Sequence, residues 1–173
     1  MATWREFESS APAVAATASL LWPGMTGLHR GQLTKPASSW FSIAFLATIR
    51  PDGSPRLHPF CPILADGRLF AAIPASSPKG HDLRRDPRCA VHALPGPDDD
   101  EFSIRARATE VGQDPAVRAS VIAVVTRTGV GGMIETASKD PIFEFDIRQV
   151  DVARWLDIGQ RGTRPIRHTW IAP

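Results

Sequence analysis

The chain has 173 residues, of which 43% are apolar, and its 20 lysines and arginines exceed its 18 acidic residues by two. This length predicts one domain, because a single hydrophobic core typically serves about 100 to 200 residues. A net charge of +2 excludes any argument for nucleic-acid binding from charge alone. No apolar run reaches the roughly 20 residues of a membrane-spanning helix, so we expect no membrane association.

The N-terminus and the cysteines predict a cytoplasmic protein. Residues 1–6 show neither the basic start nor the apolar core of a secretory signal. The two cysteines, Cys61 and Cys89, are too few for a disulfide framework, and we expect both to be reduced. Neither cysteine has a zinc-binding spacing with a histidine, so the sequence predicts no metal site.

The first 22 residues or so are predicted to form a helical cover. Thr3 and Glu6 fit a capping box, in which each side chain accepts a hydrogen bond from the other residue's backbone N–H. Apolar residues then recur at helical spacing, which Pro12 permits only if a second helix begins there. A loop rich in Gly, Pro, Thr and Ser is expected over residues 23–39.

From Trp40 the pattern changes to strands and turns. Asp52-Gly53 and Asp66-Gly67 are both typical of tight hairpins, because such turns need positive φ angles. The predicted strands cover residues 41–49, 54–64 and 68–73. Two successive hairpins of this kind predict an antiparallel meander.

The second half of the chain continues the β pattern around helices. Ser77 and Pro78 suit the cap and first position of a short helix that Asp86-Pro87 ends, and Asp114-Pro115 begins a longer helix with Gly129 as its stop. Further strands are expected at 88–94, 101–111, 143–147 and 150–156, the last two as an antiparallel pair, with a polar loop at 95–100 and a glycine-rich link after 129. About seven antiparallel strands with three or four helices predict a mainly β fold, a barrel or a sandwich.

Only three of the cationic residues are lysines, and one of them, Lys79, lies in the first turn of the predicted helix after Ser77. A cation there is unfavourable for the helix itself, because the N-terminus of a helix carries partial positive charge and unpaired N–H groups. A bound phosphate or carboxylate would offset that cost. The segment Ser76–Lys79 therefore predicts an anion site, the alternative being an ordinary capped helix with a solvated lysine.

Arg56 and His58 lie on one face of the predicted second strand. The guanidinium suits bidentate phosphate binding and the imidazole suits a polar ring edge, the alternative being an arginine at the barrel rim paired with a carboxylate. The sequence has no nucleophile elbow, and the stretch Gly129–Gly132 follows a helix, unlike a dinucleotide-binding loop. Because no general acid or base is evident, we expect the chemistry to come from a cofactor.

Three segments in order carry a resemblance to a known family: residues 47–56, ATIRPDGSPR; residues 66–70, DGRLF; and residues 76–91, SSPKGHDLRRDPRCAV. Their order and spacing resemble the pyridoxamine 5′-phosphate oxidase-like family of flavin-binding split β-barrels over residues 40–111, and more loosely through Trp155. The resemblance implies an antiparallel split β-barrel with flanking helices, residues 1–173 forming one FMN-binding domain. It also implies a homodimer that binds FMN in two clefts at the subunit interface.

The resemblance further implies which residues hold the cofactor. Arg56 matches the strand arginine that contacts the flavin phosphate, and Ser77 and Lys79 complete the phosphate site. Leu57–Pro59 would pass along the isoalloxazine ring, with His58 tuning the flavin, and Trp155 would reach the cofactor from the other subunit. The expected cofactor-binding residues are Arg56, Leu57, His58, Pro59, Ser76, Ser77, Lys79, Trp155 and Arg164.

Two departures from the vitamer oxidases of the family bear on the substrate. Pro78 stands where the family often has arginine or lysine, and residues 161–164, RGTR, lack the histidine of the R-x-H-x-R pattern. We therefore expect a flavin-dependent oxidoreductase whose small-molecule substrate is open. The alternatives are a deazaflavin reductase with Arg84, Arg85, Arg161, Arg164 and Arg167 forming a basic groove; a haem protein with His58, His92 or His168 as ligand; and a non-catalytic flavin-binding protein.

Overall fold

The computed structural model describes residues 1–21, 43–93, 101–127, 131–157 and 159–173, with side chains for all of these except 17–21. The predicted loops at 23–39 and 95–100, the start of the strand expected from Trp40 and the helix stop at Gly129 lie outside the described residues. The helices are α1 (Trp4–Ser10), α2 (Pro12–Leu21), α3 (Pro78–Arg85), α4 (Pro115–Thr126) and α5 (Gly131–Lys139). The strands are β1 (Ala44–Ile49), β2 (Pro55–Phe60), β3 (Ile63–Ala65), β4 (Arg68–Ala72), β5 (Arg88–Ala93), β6 (Glu101–Glu110), β7 (Ile142–Arg154) and β8 (Ile166–Ile171).

The eight described strands form one antiparallel sheet that curls into a half-barrel, as the predicted split β-barrel requires. The strand order is β2-β1-β5-β6-β7-β4-β3, and β8 pairs with β7. The central β7 is 13 residues long and pairs with β6, β4 and β8 along different parts of its length. A register shift at Arg105/Ala106 of β6 interrupts the longest pairing, and such irregularities increase strand bending.

The predicted meander of the first three strands is wrong. Both Asp-Gly turns do join antiparallel pairs, β1 with β2 and β3 with β4. The expected strand at 54–64, however, is interrupted at Cys61-Pro62, where the proline cannot donate a ladder hydrogen bond. As a result β2 and β3 lie at opposite ends of the strand order, and β4 pairs with β7.

Two expectations for the C-terminal half are also wrong. Residues 142–154 form one continuous strand, and its antiparallel partner is β8, not residues 150–156. No turn residue separates Ile147 from Val150, so the chain has no means of reversing there. The glycine-rich link contributes the first turn of α5, which places Lys139 at a helix end, where it contacts Glu135.

Helices α1 and α2 pack at the N-terminus of the chain. Thr3 and Glu6 form the capping box, and α2 begins at Pro12. Trp4 and Phe7 are buried in the main core, where Phe7 packs on Trp170 of β8 with ring centroids 5.4 Å apart. This core lies inside the curled sheet, so α1 closes one side of the half-barrel. Among the described residues no helix is long and apolar enough to cross a membrane.

Candidate functional site

Helix α3 begins as the sequence predicts, with Ser77 at the cap and Pro78 at the first helical position. The Ser77 side chain makes no capping hydrogen bond, although its carbonyl accepts from the N–H groups of Gly80 and His81. Ser77 is half-buried and Ser76 is exposed. The start of α3 therefore offers a hydroxyl and first-turn N–H groups of the kind that bind anions.

Lys79 projects from this first turn toward β2. Its side chain is half-buried, and Nζ donates to the backbone carbonyl of Pro59 at 3.3 Å. No carboxylate of the described residues lies within ion-pair distance of Nζ. Burial consequently lowers the pKa of Lys79, because the ammonium has lost solvent without gaining a counterion. The alternative interpretation, a fully solvated lysine, does not describe this half-buried side chain.

The strand β2 presents Arg56, His58 and Phe60 on one face, which packs toward α3. Arg56 is opposite Thr48 in the β1–β2 register, and Nε of Arg56 donates to Oδ2 of Asp82 at 2.6 Å. Arg56 is thus paired with a carboxylate, as the alternative interpretation of this residue predicted. The bond uses one of the five N–H donors of a guanidinium.

Asp82 of α3 is the residue that the sequence analysis missed. Its side chain is 3% exposed and accepts hydrogen bonds from Arg56, from Thr48 at 2.9 Å and from Arg85 at 3.3 Å. Burial by itself would raise the pKa of this carboxyl, but the bonds from Arg56, Thr48 and Arg85 outweigh it and lower the pKa. Asp82 is therefore a charged group at the centre of the site.

His58 follows Arg56 on the same face of β2 and contains an unsatisfied polar atom. Its Nε2 is buried and has no hydrogen-bond partner within the described part of the chain. Burial lowers the pKa of His58, and the positive charges of Lys79 and Arg56 lower it further. The neutral form of the imidazole is therefore favoured, and one ring nitrogen lacks the partner that buried polar atoms normally have.

The outer edge of β2 adds a backbone donor to the site. Among the described strands β2 pairs only with β1, and the N–H of Arg50 donates to Ser54 at 2.9 Å, which sets the ladder's alternation. By that alternation Leu57 points its N–H and C=O away from β1. The prolines at 55 and 59 share this orientation but have no N–H, so Leu57 carries the outward N–H of β2. Its side chain is 63% exposed.

The structure places Trp155 directly after β7 and Arg164 shortly before β8. Helix α3 packs at the end of the sheet where β7 begins, with Arg84 over the ring of Phe143. Trp155 follows the last residue of β7, at the opposite end of that strand from α3, whereas Pro59 of β2 is level with Asp151 of β7 through the β1, β5 and β6 registers. Arg84 pairs with Glu110 and Arg167 with Glu101, at opposite ends of β6, so Arg84 and Arg167 do not line one groove within one chain.

Cys61, Cys89, His92 and His168 are further residues of the kinds that bind metal ions or act as nucleophiles. Burial raises the pKa of the Cys61 thiol and raises that of Cys89 to about 12. His92 is exposed on the opposite face of β5 from Cys89, as the alternation predicts, and His168 is exposed on β8. Within the described residues no three His, Cys, Asp or Glu side chains are placed to hold a metal ion.

The outer face of the sheet contains an open groove of about 550 Å³. Its floor is apolar, formed by residues such as Ala47, Ile49 and Ala90. Four arginines rim it: Arg88, Arg105, Arg107 and Arg148. We call this surface the arginine groove. It lies on the face of the sheet opposite to Arg56 and His58, as the β1–β2 and β1–β5 registers require.

A family model described as pyridoxamine 5′-phosphate oxidase matches residues 40–158, more than half of the chain. The chain belongs to this family. The match covers β1 to β7, including α3 and every residue of the candidate site except Arg164, and so confirms the resemblance seen in the sequence motifs. No protein of curated function matches the chain significantly.

Solved structures at low sequence identity share the fold of this family member. HutZ, a heme storage protein from Vibrio cholerae, aligns with a TM-score of 0.55 and 18% identity over 66% of this chain and 87% of that one. A protein named F420 reductase aligns with a TM-score of 0.51 and 18% identity over 63% and 88% of the two chains. A candidate pyridoxamine 5′-phosphate oxidase from Listeria innocua aligns with a TM-score of 0.51 and 16% identity over 67% and 91%.

Proposed function

We propose that the protein binds FMN through its phosphate at the start of α3 and acts as a flavin-dependent oxidoreductase on a small molecule. The observation that carries the proposal is the half-buried Lys79, which has no carboxylate counterion among the described residues. A phosphate there would restore the electrostatic stabilisation that burial removes from the ammonium and would occupy the positive end of the helix. Ser77, with an unused hydroxyl, lies two residues away.

The residues of β2 suit the rest of a flavin. Arg56 directs its Nε to Asp82, and its remaining N–H groups can serve the phosphate. Leu57 supplies an outward backbone N–H, and His58 supplies a ring nitrogen that lacks a partner. Such groups match the carbonyl and nitrogen atoms at the edge of an isoalloxazine ring. Phosphate and ring would thus be held by two neighbouring elements, α3 and β2.

We further propose that the active form is a homodimer. The family resemblance implies that Trp155 reaches the cofactor from the other subunit, and Trp155 follows the end of β7 that lies opposite to α3. The arginine groove, with its apolar floor, and the adjacent exposed Leu57 form the surface that we propose a second copy covers. Contiguous apolar surface of this kind is typical of interaction sites.

The chemistry in this proposal belongs to the cofactor. When bound, a flavin accepts and donates hydride, and the protein supplies position and electrostatics. Lys79 and Arg56 would anchor the phosphate, while Leu57 and His58 would orient the ring and exclude water from its edge. Cys61 is held as a thiol by burial, which argues against a nucleophilic role for it.

Haem is the second candidate, because one observation favours it. A neutral imidazole with a partnerless Nε2 is the form that ligates iron, and the lowered pKa of His58 favours this form. HutZ, which has the same fold, is a heme storage protein. A deazaflavin coenzyme would use the same phosphate anchor, but its basic groove would have to combine arginines from two subunits.

Titration of the purified protein with FMN, haem and a deazaflavin coenzyme, side by side, tests the proposal. We expect FMN to bind and its visible absorbance bands to shift, with riboflavin binding more weakly because it lacks the phosphate. A Soret band from haem with no FMN binding would favour the second candidate. A protein that binds none of the three would refute the proposal that this site holds a cofactor.

A further inference from the structure

A buried carboxylate lies beside the proposed phosphate anchor, and its position needs an explanation. Asp82 Oδ2 accepts from Nε of Arg56 at 2.6 Å and from the hydroxyl of Thr48 at 2.9 Å, while Oδ1 is 3.3 Å from Arg85. A negative charge at this place repels an incoming anion, since the interaction between charges decays only slowly inside a protein. Desolvation offsets much of the attraction in a buried ion pair, so net stability alone does not explain a charged residue at this position.

The charges around the site suggest what the carboxylate does. Arg56, Lys79 and Arg85 supply three positive charges and Asp82 removes one, which leaves two. Arg50, whose charge also acts on His58, is exposed at the β1–β2 turn, where its Nε donates to the carbonyl of Pro55, and is not counted. A phosphate monoester carries about −1.5 to −2 charges at pH 7, so this remainder matches a monoester. Without Asp82 the site would have a surplus positive charge and a stronger attraction for anions of higher charge.

We propose that Asp82 is a specificity-determining residue of this site, which holds Arg56 through Nε and limits the positive charge to what a phosphate monoester needs. The inference rests on the proposed phosphate anchor at Lys79. Asp82 touches no ligand in this scheme and acts through Arg56. Its negative charge weakens binding of the phosphate, and the gain is selectivity for a singly phosphorylated ligand over a pyrophosphate.

The experiment compares the dissociation constants of FMN and riboflavin, because their ratio isolates the contribution of the phosphate. In Asp82→Asn, which retains the shape and an acceptor for Thr48, we expect the ratio of riboflavin to FMN dissociation constants to rise about tenfold or more. In the same variant, pyrophosphate should compete with FMN more strongly, relative to inorganic phosphate, than it does in the wild type. A residue that served only the fold would change both flavin affinities together and leave the ratio constant.

Two further variants make the outcome decisive. The Arg85 side chain is 39% exposed, so we expect Arg85→Gln to fold. This variant should lower the ratio of riboflavin to FMN dissociation constants, because it removes a positive charge without touching the phosphate. Thr48→Val removes a hydrogen bond to Asp82 with no change of charge, so the ratio of riboflavin to FMN dissociation constants should equal that of the wild type. An unchanged or lower ratio in Asp82→Asn, or an unchanged ratio in Arg85→Gln if Asp82→Asn does not fold, overturns the inference.

Lys79→Ala in the same series separates this inference from the proposed function. If Lys79→Ala lowers the ratio while the Asp82 and Arg85 variants leave it constant, the anchor stands and only the role of Asp82 falls. If Lys79→Ala also leaves the ratio constant, the phosphate is bound elsewhere, and both the proposed anchor and the role of Asp82 are rejected.

Discussion

Two regions of the molecule concentrate positive charge, and they differ in how that charge is neutralised. In the arginine groove, Arg88 and Arg148 are exposed and each contacts a carboxylate next to it, those of Asp86 and Asp146. At the start of α3, Lys79 is half-buried and its Nζ contacts a carbonyl. The groove has more cations, but solvent and neighbouring acids satisfy two of them.

The difference shows that the number of cations on a surface is a poor guide to where an anionic ligand binds. An exposed arginine with a local carboxylate is a low-energy arrangement that needs nothing further. A half-buried ammonium at the positive end of a helix is unfavourable on both counts, and a bound anion reduces both penalties. We therefore expect ligand binding to depend on one lysine at α3 far more than on any arginine of the groove.

The largest expected effect is that of removing both cations of the proposed anchor. In Lys79→Ala combined with Arg56→Gln, the affinity for FMN should fall by about 3 to 6 kcal/mol, because each charge-assisted bond to phosphate contributes about 1.5 to 3 kcal/mol. Glutamine at 56 retains a donor for Asp82. Fluorescence titration measures the loss. The matched control, Lys139→Ala with Arg5→Gln, removes two charges elsewhere, and FMN affinity in it should equal that of the wild type.

Lys79 could be predicted from the sequence because its signal is local. Ser77, Pro78 and Lys79 are consecutive, and the chemistry of a helix start is set within one turn. Asp82 could not be predicted, since its partners Thr48 and Arg56 lie 34 and 26 residues away in the sequence. A polar residue inside an amphipathic helix is ordinarily solvated, and nothing in its own segment indicates that it is buried.

The same distinction explains the fold. Both Asp-Gly hairpins were predictable because a tight turn is specified by the residues that form it. The choice of strand neighbours depends on distant segments: β4 pairs with β7, and β2 and β3 separate despite being consecutive. The length of β7 was missed for a similar reason, because its second half is stabilised by β8, which no local pattern connects to it.

The second prediction tests the proposal that a second copy of the chain covers the arginine groove. Ala90→Arg puts a bulky cation on the apolar floor, beside Arg105 on the neighbouring strand. If a second copy covers this face, the variant buries an unpaired like charge, and dimerisation should weaken by about 3 kcal/mol. Sedimentation equilibrium should report a monomer. Ala123→Arg, the same substitution at an exposed position of α4, should remain dimeric, and a dimeric Ala90→Arg would place the interface elsewhere.

The third prediction concerns pH and the anchor's neighbour His58. Because its folded-state pKa lies below the ordinary value near 6.5, the unfolded chain takes up a proton first as the pH falls. The contribution of the neutral imidazole to stability is therefore complete above about pH 6.5 and declines below it. Bound FMN should reduce this decline, since its phosphate offsets the charges of Lys79 and Arg56.

Thermal unfolding between pH 7.5 and 5 measures that contribution. His58→Gln should show a shallower loss of stability over this range than the wild type. The control is His168→Gln, at an exposed position of β8, which should follow the wild-type curve. Parallel curves for His58→Gln and the wild type would mean that the imidazole is solvated and is not influenced by the charges of Lys79 and Arg56.

The smallest expected effect is a change of stability whose sign differs between two lysine variants. In Lys79→Met the apolar side chain fills the same half-buried space without a cation at the start of the helix, so the unliganded protein should gain about 0.5 to 1 kcal/mol of stability. Lys139→Met is the opposite case, because Lys139 ends α5 and its Nζ is 2.8 Å from Glu135, so that variant should lose about 0.3 to 0.5 kcal/mol. Chemical denaturation without ligand measures both. A stabilised Lys79→Met that binds FMN poorly would show that this lysine is kept for its ligand at a cost to the fold, whereas a destabilised one would mean that its bond to the Pro59 carbonyl is its main role.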